Sequence, residues 1–469
     1  MPQNAADNRP HSAPDTLANR IATELEQEII AGGWRVGQPL GNEEQLVERF
    51  GVSRWVLREA LAITERDGLT QMRRGRGGGL VVAEPAESVV ATTLRNYLLF
   101  SGIEANGLLS VRQLIDGLAC RLGSANLDPQ ALAAARAFHA DMAALDDLGG
   151  LEVSTRLYRQ ILKLSGNRLV QIFGSVLSQL TYGHGICLGS RPLRGLTQSP
   201  NARRMGEMRR TQFTRVVAAD LYGAIKASGE ACEVILDLFA ESPGGGRHFD
   251  LGSSIGDTRA IAELILNTYP SDRTFRRVDI LALQIQLDII RLGLAPGHPL
   301  APEKTLTERY GVGRNVLREA IRVLQRDNIV TAAEGRQGGL WAAEPRPDNV
   351  IRSSLVLFRF MQLGRDEIDP VFREVFGLAA ALAAEGGDPG PALAVLERIA
   401  AGERGLTGAL LASLGRAGGN PILALFSAIL ATLGAADDRA PTPSASALGE
   451  ALRAGDSGLA RRLALTWGR

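Results

Sequence analysis

An eleven-residue segment occurs twice, as GVSRWVLREAL at 51–61 and as GVGRNVLREAI at 311–321, with matching positions 260 residues apart. A chain that repeats so long a segment is assembled from copies of one structural unit, and each copy needs its own core. The 469 residues, 45% hydrophobic and 22% charged, supply enough chain for several such cores and exclude a disordered polymer.

In the first copy, Leu17, Ile21, Leu25, Ile29 and Ile30 recur at helical spacing until Gly32-Gly33 stops the run. Asn42, followed by Glu43, Glu44 and Gln45, has the pattern of an N-cap with a capping-box partner, predicting a short helix to Phe50. Gly51 ends it, and Ser53 caps a third helix carrying Val56, Leu57, Ala60 and Leu61. Helix, glycine turn, helix is the outline of a helix-turn-helix. Arg54 and Arg58 lie four residues apart at the start of the third helix, hence on one face, where base edges are reached. Two short strands, 69–72 and 80–83, bracket the tip RRGRGGG. From Arg49 to Arg76, seven arginines face Glu59, Glu65 and Asp67, a local balance of +4 in a chain whose net charge is +1. Nucleic-acid affinity must come from this clustering and not from a global excess.

With helix, cap, arginine pair and hairpin in this order, residues 15–85 resemble the winged helix of the GntR family, and the helical stretch after them resembles its FadR-type branch. The resemblance implies double-stranded DNA as partner and transcriptional regulation, with repression expected. It also implies a DNA-binding set of Ser53, Arg54, Arg58, Arg73, Arg74, Gly75 and Arg76, with Arg54 and Arg58 reaching guanines or phosphates in the major groove and the wing tip at Arg74 and Gly75 entering the minor groove. Family members often carry arginine where this chain has Glu44.

Between 86 and 241 helical patterns dominate, at 108–122, 128–145, 152–164, 169–180 and 205–239, predicting an all-helical bundle. VRQLIDGLACRLG, LYRQILKLSGNRLV and AIKASGEACEVI resemble, in order, landmarks of the family's FCD effector domain. The resemblance implies a small carboxylate or acyl effector, with Arg112, Tyr158, Asn167 and His184 as candidate effector-binding residues. The positions matching the family's metal ligands are Ser154, Tyr158, Ala218 and Glu241, so neither metal nor cofactor is expected.

The second copy repeats the pattern with changes. Helices are predicted at 278–291, 306–310 and 313–324 and strands at 330–332 and 340–343, with Arg314, Arg318 and Arg336 at the DNA-contacting positions. Gly313 replaces the capping serine, Ala333-Glu334 replace Arg73-Arg74, and Lys304 stands in the place of Glu44. Gly419-Asn420 answers Gly166-Asn167 at an offset of 253, so the second bundle is shorter.

The expected organisation is mainly α with small β wings: a flexible arm (1–14), winged helix 1 (15–85), helical bundle 1 (86–241), a glycine- and serine-rich linker (242–272) with a short helix over 258–267, winged helix 2 (273–345) and helical bundle 2 (346–469). Because the family works as homodimers, the duplication implies a single-chain pseudo-dimer, either alone or as a dimer of chains, on a pseudo-palindromic operator with unequal half-sites. An effector-independent architectural or DNA-bridging role is the alternative. No catalytic triad, phosphate loop or cofactor lysine is present, and GRGGGL falls in a hairpin, so no enzyme is expected. The longest nearly apolar run, 421–436, is shorter than the roughly 20 residues of a membrane helix. With three scattered cysteines and no apolar leader in the first 14 residues, this predicts a cytoplasmic protein.

Overall fold

The computed structural model describes residues 17–73, 78–85, 87–143, 150–187, 199–240, 259, 262, 277–333, 339–343, 345–433 and 442–467. The N-terminal arm lies outside them, as do the linker and the helix expected over 258–267 apart from Arg259 and Ala262.

The first half runs α1 (Leu17–Ala31), β1 (Pro39–Gly41), α2 (Glu43–Phe50), α3 (Arg54–Arg66), β2 (Thr70–Arg73) and β3 (Gly79–Val82). It continues through α4 (Glu87–Phe100), α5 (Ala105–Ala125), α6 (Pro129–Ala143), α7 (Gly150–Leu164), α8 (Arg168–Cys187), α9 (Pro200–Val217) and α10 (Leu221–Ala240). The second half repeats it as α11 (Arg277–Arg291), α12 (Glu303–Tyr310), α13 (Arg314–Arg326), β4 (Val330–Ala333) and β5 (Gly339–Ala342). Next come α14 (Pro347–Phe360), α15 (Arg365–Glu385), α16 (Gly390–Ala400), α17 (Thr407–Ala417), α18 (Pro421–Leu433), α19 (Thr442–Ala454) and α20 (Ser457–Leu465). No helix among the described residues is long and apolar enough to cross a membrane.

Several elements depart from the sequence pattern, α4 among them, and two of the departures follow from local chemistry. The run over 205–239 is broken in two, because Ala219 adopts a left-handed φ of 56° and the Asp220 carboxylate accepts the Gly223 amide at 2.9 Å, starting α10 afresh. β1, which sequence periodicity did not predict, spans three residues and adds to the wing sheet in the order β1-β3-β2.

The chain divides into two compact units, 1–90 with 348–362, and 91–347 with 363–469. In the first, α1, α2 and α3 enclose Leu25, Leu46, Leu57, Leu61 and Leu80. Asn42 and Gln45 close a capping box, each side-chain oxygen accepting the other's amide at 2.8 and 2.9 Å. Gly51, at φ 63°, ends α2 in a conformation that costs glycine little. α14, which belongs to the second half by sequence, packs on this winged helix. Val356 meets Ile29, Leu69 and Val82, Phe360 stands edge-on to Trp34, Arg352 and Arg359 pair with Glu26, and Ser353 donates to Asp67 at 3.2 Å.

In the second unit, α4 makes the counterpart contact with winged helix 2. Thr93 donates to Asp327 at 3.3 Å, 260 positions from Ser353 and Asp67 respectively, and Phe100 packs against the core of Leu281, Ile285, Leu306, Leu317 and Leu324. Each winged helix thus docks on the helix that succeeds the other in the chain. Strands β4 and β5 form the second wing, with Pro299 bridging to Trp341 on the side where the first wing has β1.

The two helical bundles meet about a pseudo-twofold axis. Phe173 of α8 and Phe426 of α18, equivalent at the 253-residue offset, stack on each other with centroids 3.8 Å apart. Asn167 Nδ2 donates to Glu367 O at 2.8 Å, and its equivalent Asn420 Nδ2 donates to Gly107 O at 2.8 Å. A pair of equivalent residues touching each other is the signature of an isologous interface, here made within one chain.

Glu367 also accepts from Arg168, at 2.9 Å from Nε and 2.5 Å from Nη2, and this hydrogen bonding holds its carboxyl below the usual range. A depressed folded-state pKa stabilises above the unfolded value of about 4.3, and the contribution fades as pH falls through the folded value. Glu367→Gln is therefore expected to destabilise by about 1 kcal/mol at pH 7, the low end for a charged hydrogen bond because Arg168 is half exposed. The gap between urea melts of wild type and variant should narrow as pH falls below the unfolded value of about 4.3. A gap unchanged down to pH 3 would exclude charge as its cause.

Candidate nucleic-acid interface and a buried charge cluster

The start of α3 is built for exposure. Ser53 Oγ accepts the Val56 amide at 3.3 Å, Val56 and Leu57 turn inward, and Arg54 and Arg58 project outward with side chains 69% exposed. Arg58 Nε donates to Glu43 Oε1 at 2.9 Å, which holds the guanidinium against α2, while Arg54 lies 4.0 Å from Glu44. Arg73 ends β2 and is exposed. Arg74, Gly75 and Arg76 lie outside the described residues.

The second copy reproduces the geometry. Arg318 Nε donates to Glu303 Oε1 at 2.9 Å, as Arg58 does to Glu43, and Arg314 is exposed. Gly313 offers α13 no side-chain cap. Arg336 lies outside the described residues.

Sequence reasoning missed Trp55. It is 73% exposed between Arg54 and the first buried turn, and Asn315, also exposed, takes its place in the second copy. A large aromatic on the outer face of a capped helix N-terminus gives packing no benefit, and that exposure was the available signal. The starts of α3 and α13 thus offer different chemistry, an apolar ring beside one arginine and an amide beside the other.

Two of the four effector-binding candidates come together in bundle 1. Tyr158 donates its hydroxyl to Asp116 Oδ1 at 2.5 Å, and the guanidinium carbons of Arg112 and Arg209 each lie 4.6 Å from its ring centroid. Asp116, fully buried, also meets Arg209 Nη1 at 3.2 Å and Arg112 Nε at 3.6 Å. Burial, with Asp116 beside it, pushes the Tyr158 hydroxyl well above its ordinary pKa, so it stays a proton donor. Burial likewise raises the neighbouring Cys120 and Cys232 thiols to about 11, leaving them protonated and unreactive. Arg112, Arg209 and Asp116 sum to one buried positive charge. Arg209 Nε and Nη2 have no hydrogen-bond acceptor among the described residues. Asn167 is elsewhere, capping α8 and joining the bundles, and the side chain of His184 lies outside the described residues.

Among its described residues, bundle 2 carries no such cluster. Gly377 stands where bundle 1 has Asp116, against Leu465, and Leu411 stands in the place of Tyr158. Among the described residues, no group of three or more histidine, cysteine, aspartate or glutamate side chains is placed to hold a metal ion.

Known bacterial regulators resemble part of this chain. Over 103 residues, 22% of this chain and 39% of the relative, the chain is 31% identical to the Exu regulon transcriptional regulator of Escherichia coli strain K12. It is 32% identical over 115 residues to the Glc operon transcriptional activator of the same strain, covering 24% of this chain and 42% of that protein. The Uxu operon regulator of Haemophilus influenzae is 36% identical over 70 residues, 15% of this chain and 26% of its own. The chain therefore spans about two fifths of the length of the first two. Residues 17–79 and 279–337 each match the model of the bacterial regulatory proteins of the gntR family, so the similarity to that family occurs twice along the chain, once over each winged helix.

Proposed function

We propose that the chain is a sequence-specific DNA-binding transcriptional regulator that acts as a single-chain pseudo-dimer, each winged helix reading one half of a pseudo-palindromic operator. The observation that carries this is the pair of recognition helices α3 and α13, each presenting two arginines to solvent from its first two turns. Arginine at this place is the usual bidentate reader of guanine. Where its operator overlaps a promoter, such a protein represses by occupying the site. The half-sites are unequal, because Trp55 and Asn315 occupy equivalent places. The effector reading belongs to bundle 1 alone. Its buried surplus positive charge, with two arginine N–H groups lacking acceptors, suits a small carboxylate whose charge completes the set.

The test is selection of bound sites from a random duplex pool by the full chain. Enrichment of a two-part site with unlike halves is expected, and failure to enrich any site overturns the reading. Light scattering on the complex should find one chain per site. Two chains joining two duplexes would point to a bridging role instead.

A further inference from the structure

We propose that Arg95 is a positioning residue that ties the second recognition helix to the charge cluster of bundle 1, with α8 as the element between them. The inference rests on α13 being a DNA-reading helix.

Helix α8 is held on two sides. On one, Arg112 Nη1 donates to Thr181 Oγ1 and, at 3.4 Å, to the carbonyl of Leu177. Gln179 lies about 200° around the helix from Leu177 at about 100° per residue, so it faces the opposite way. There its Oε1 accepts from Arg95 Nη1 at 3.2 Å. Arg95 is 1% exposed, and it donates further through Nε and Nη2 to Asn96 Oδ1 at 3.1 and 2.7 Å. The Asn96 amide passes the interaction on, Nδ2 donating to Asp327 Oδ2 at 2.8 Å. Asp327 is the C-cap of α13 and also takes the Thr93 hydroxyl. Gln286 of α11 donates to the Asn96 carbonyl at 3.3 Å, so α11 and α13 are gripped by the same segment of α4.

The chemistry makes this arrangement responsive. A buried guanidinium that loses an acceptor suffers a desolvation penalty that water does not relieve, and each bond in such a network is strengthened by its neighbours. Burial already lowers the Arg95 pKa to about 10, which leaves it charged at neutral pH and dependent on every acceptor it has. A shift of α8 caused by a change around Arg112 therefore moves Gln179 against Arg95, and Arg95 against the grip on Asp327.

Winged helix 1 is held differently. Leu355 and Val356 stand where α4 has Arg95 and Asn96, so neither side chain can donate there, and Asp67 is held by Ser353 and Arg352 directly. The cluster of bundle 1 thus acts on α13 and not on α3.

Hydrogen exchange of the full chain, without DNA, tests this on wild type, Thr181→Val, Arg95→Leu and the double variant. Thr181→Val is expected to raise exchange in the last turn of α13 by about threefold or more while leaving the last turn of α3 unchanged. In the Arg95→Leu background the same change should add nothing. Multiplicative effects in the double variant, or equal loosening of both helices, overturn the proposal, because a merely structural arginine gives those results. Should Thr181→Val fail to fold, Tyr158→Phe, which removes only the hydroxyl donated to Asp116, makes the same comparison. A failure here leaves the site selection untouched, and a failed selection leaves the exchange result standing.

Discussion

Asp116→Asn is expected to lower the stability of the chain by about 3–5 kcal/mol. The change is isosteric, so it creates no cavity and removes only charge and acceptor strength. It leaves Arg112 and Arg209, 2% and 0% exposed, with no carboxylate between them. Breaking a buried pair by removing one partner costs more than the pair contributes, because the surviving charges remain out of water. Urea unfolding should show a lower midpoint with an unchanged slope. If the fold survives, formate or acetate added to Asp116→Ala should restore part of the loss by mass action, since it supplies the missing anion. A loss below about 1 kcal/mol for Asp116→Asn would mean that the arginines are neutralised in some other way, and the effector reading would lose its support.

The parts legible in the sequence were those fixed by local chemistry. Asn42 with Gln45, Gly51 and Ser53 act within four residues of themselves, and each does in the structure what its spacing predicts. The break at Ala219 was not legible, because alanine is the best helix former and its left-handed conformation is imposed by surroundings. Nor were the partners of α4 and α14, whose contacts with Asp327 and Asp67 span more than 200 residues. The charge cluster was half legible. Arg112 and Tyr158 were marked by resemblance, but Arg209, in a helix that also carries Arg203, Arg204, Arg210 and Arg215, was not singled out. Its spacing of four residues from both Met205 and Phe213 puts it on the apolar face of that helix, and this is the signal that sets it apart.

The duplication has a physical consequence that a homodimer does not share. Two identical subunits must change together, so a charge placed in one bundle appears in both, and any residue on the recognition helix reads both half-sites. Joined in one chain, the copies diverge independently. Asp116 corresponds to Gly377, Arg95 to Leu355 and Trp55 to Asn315, so on the proposed reading regulation is one-sided and the two half-sites are read differently.

Recognition tests that one-sidedness most directly. Arg54→Ala or Arg58→Ala is expected to weaken specific binding by about 1–3 kcal/mol per lost base contact, roughly a tenfold to hundredfold loss, with protection fading at the first half-site only. Arg314→Ala should do the same at the second. The first pair carries more of the total, because Arg73 continues the positive surface into the wing where the second copy has Ala333. Trp55→Asn sharpens the test. An indole ring stacks on the thymine methyl and excludes water from that edge, whereas an amide pairs with adenine, so the variant should make the first selected half-site resemble the second at the base beside Arg54. Arginine substitutions that lower affinity equally for all sequences, and a Trp55→Asn site identical to wild type, would mean that both helices meet phosphate alone, leaving sequence to be read elsewhere in the chain.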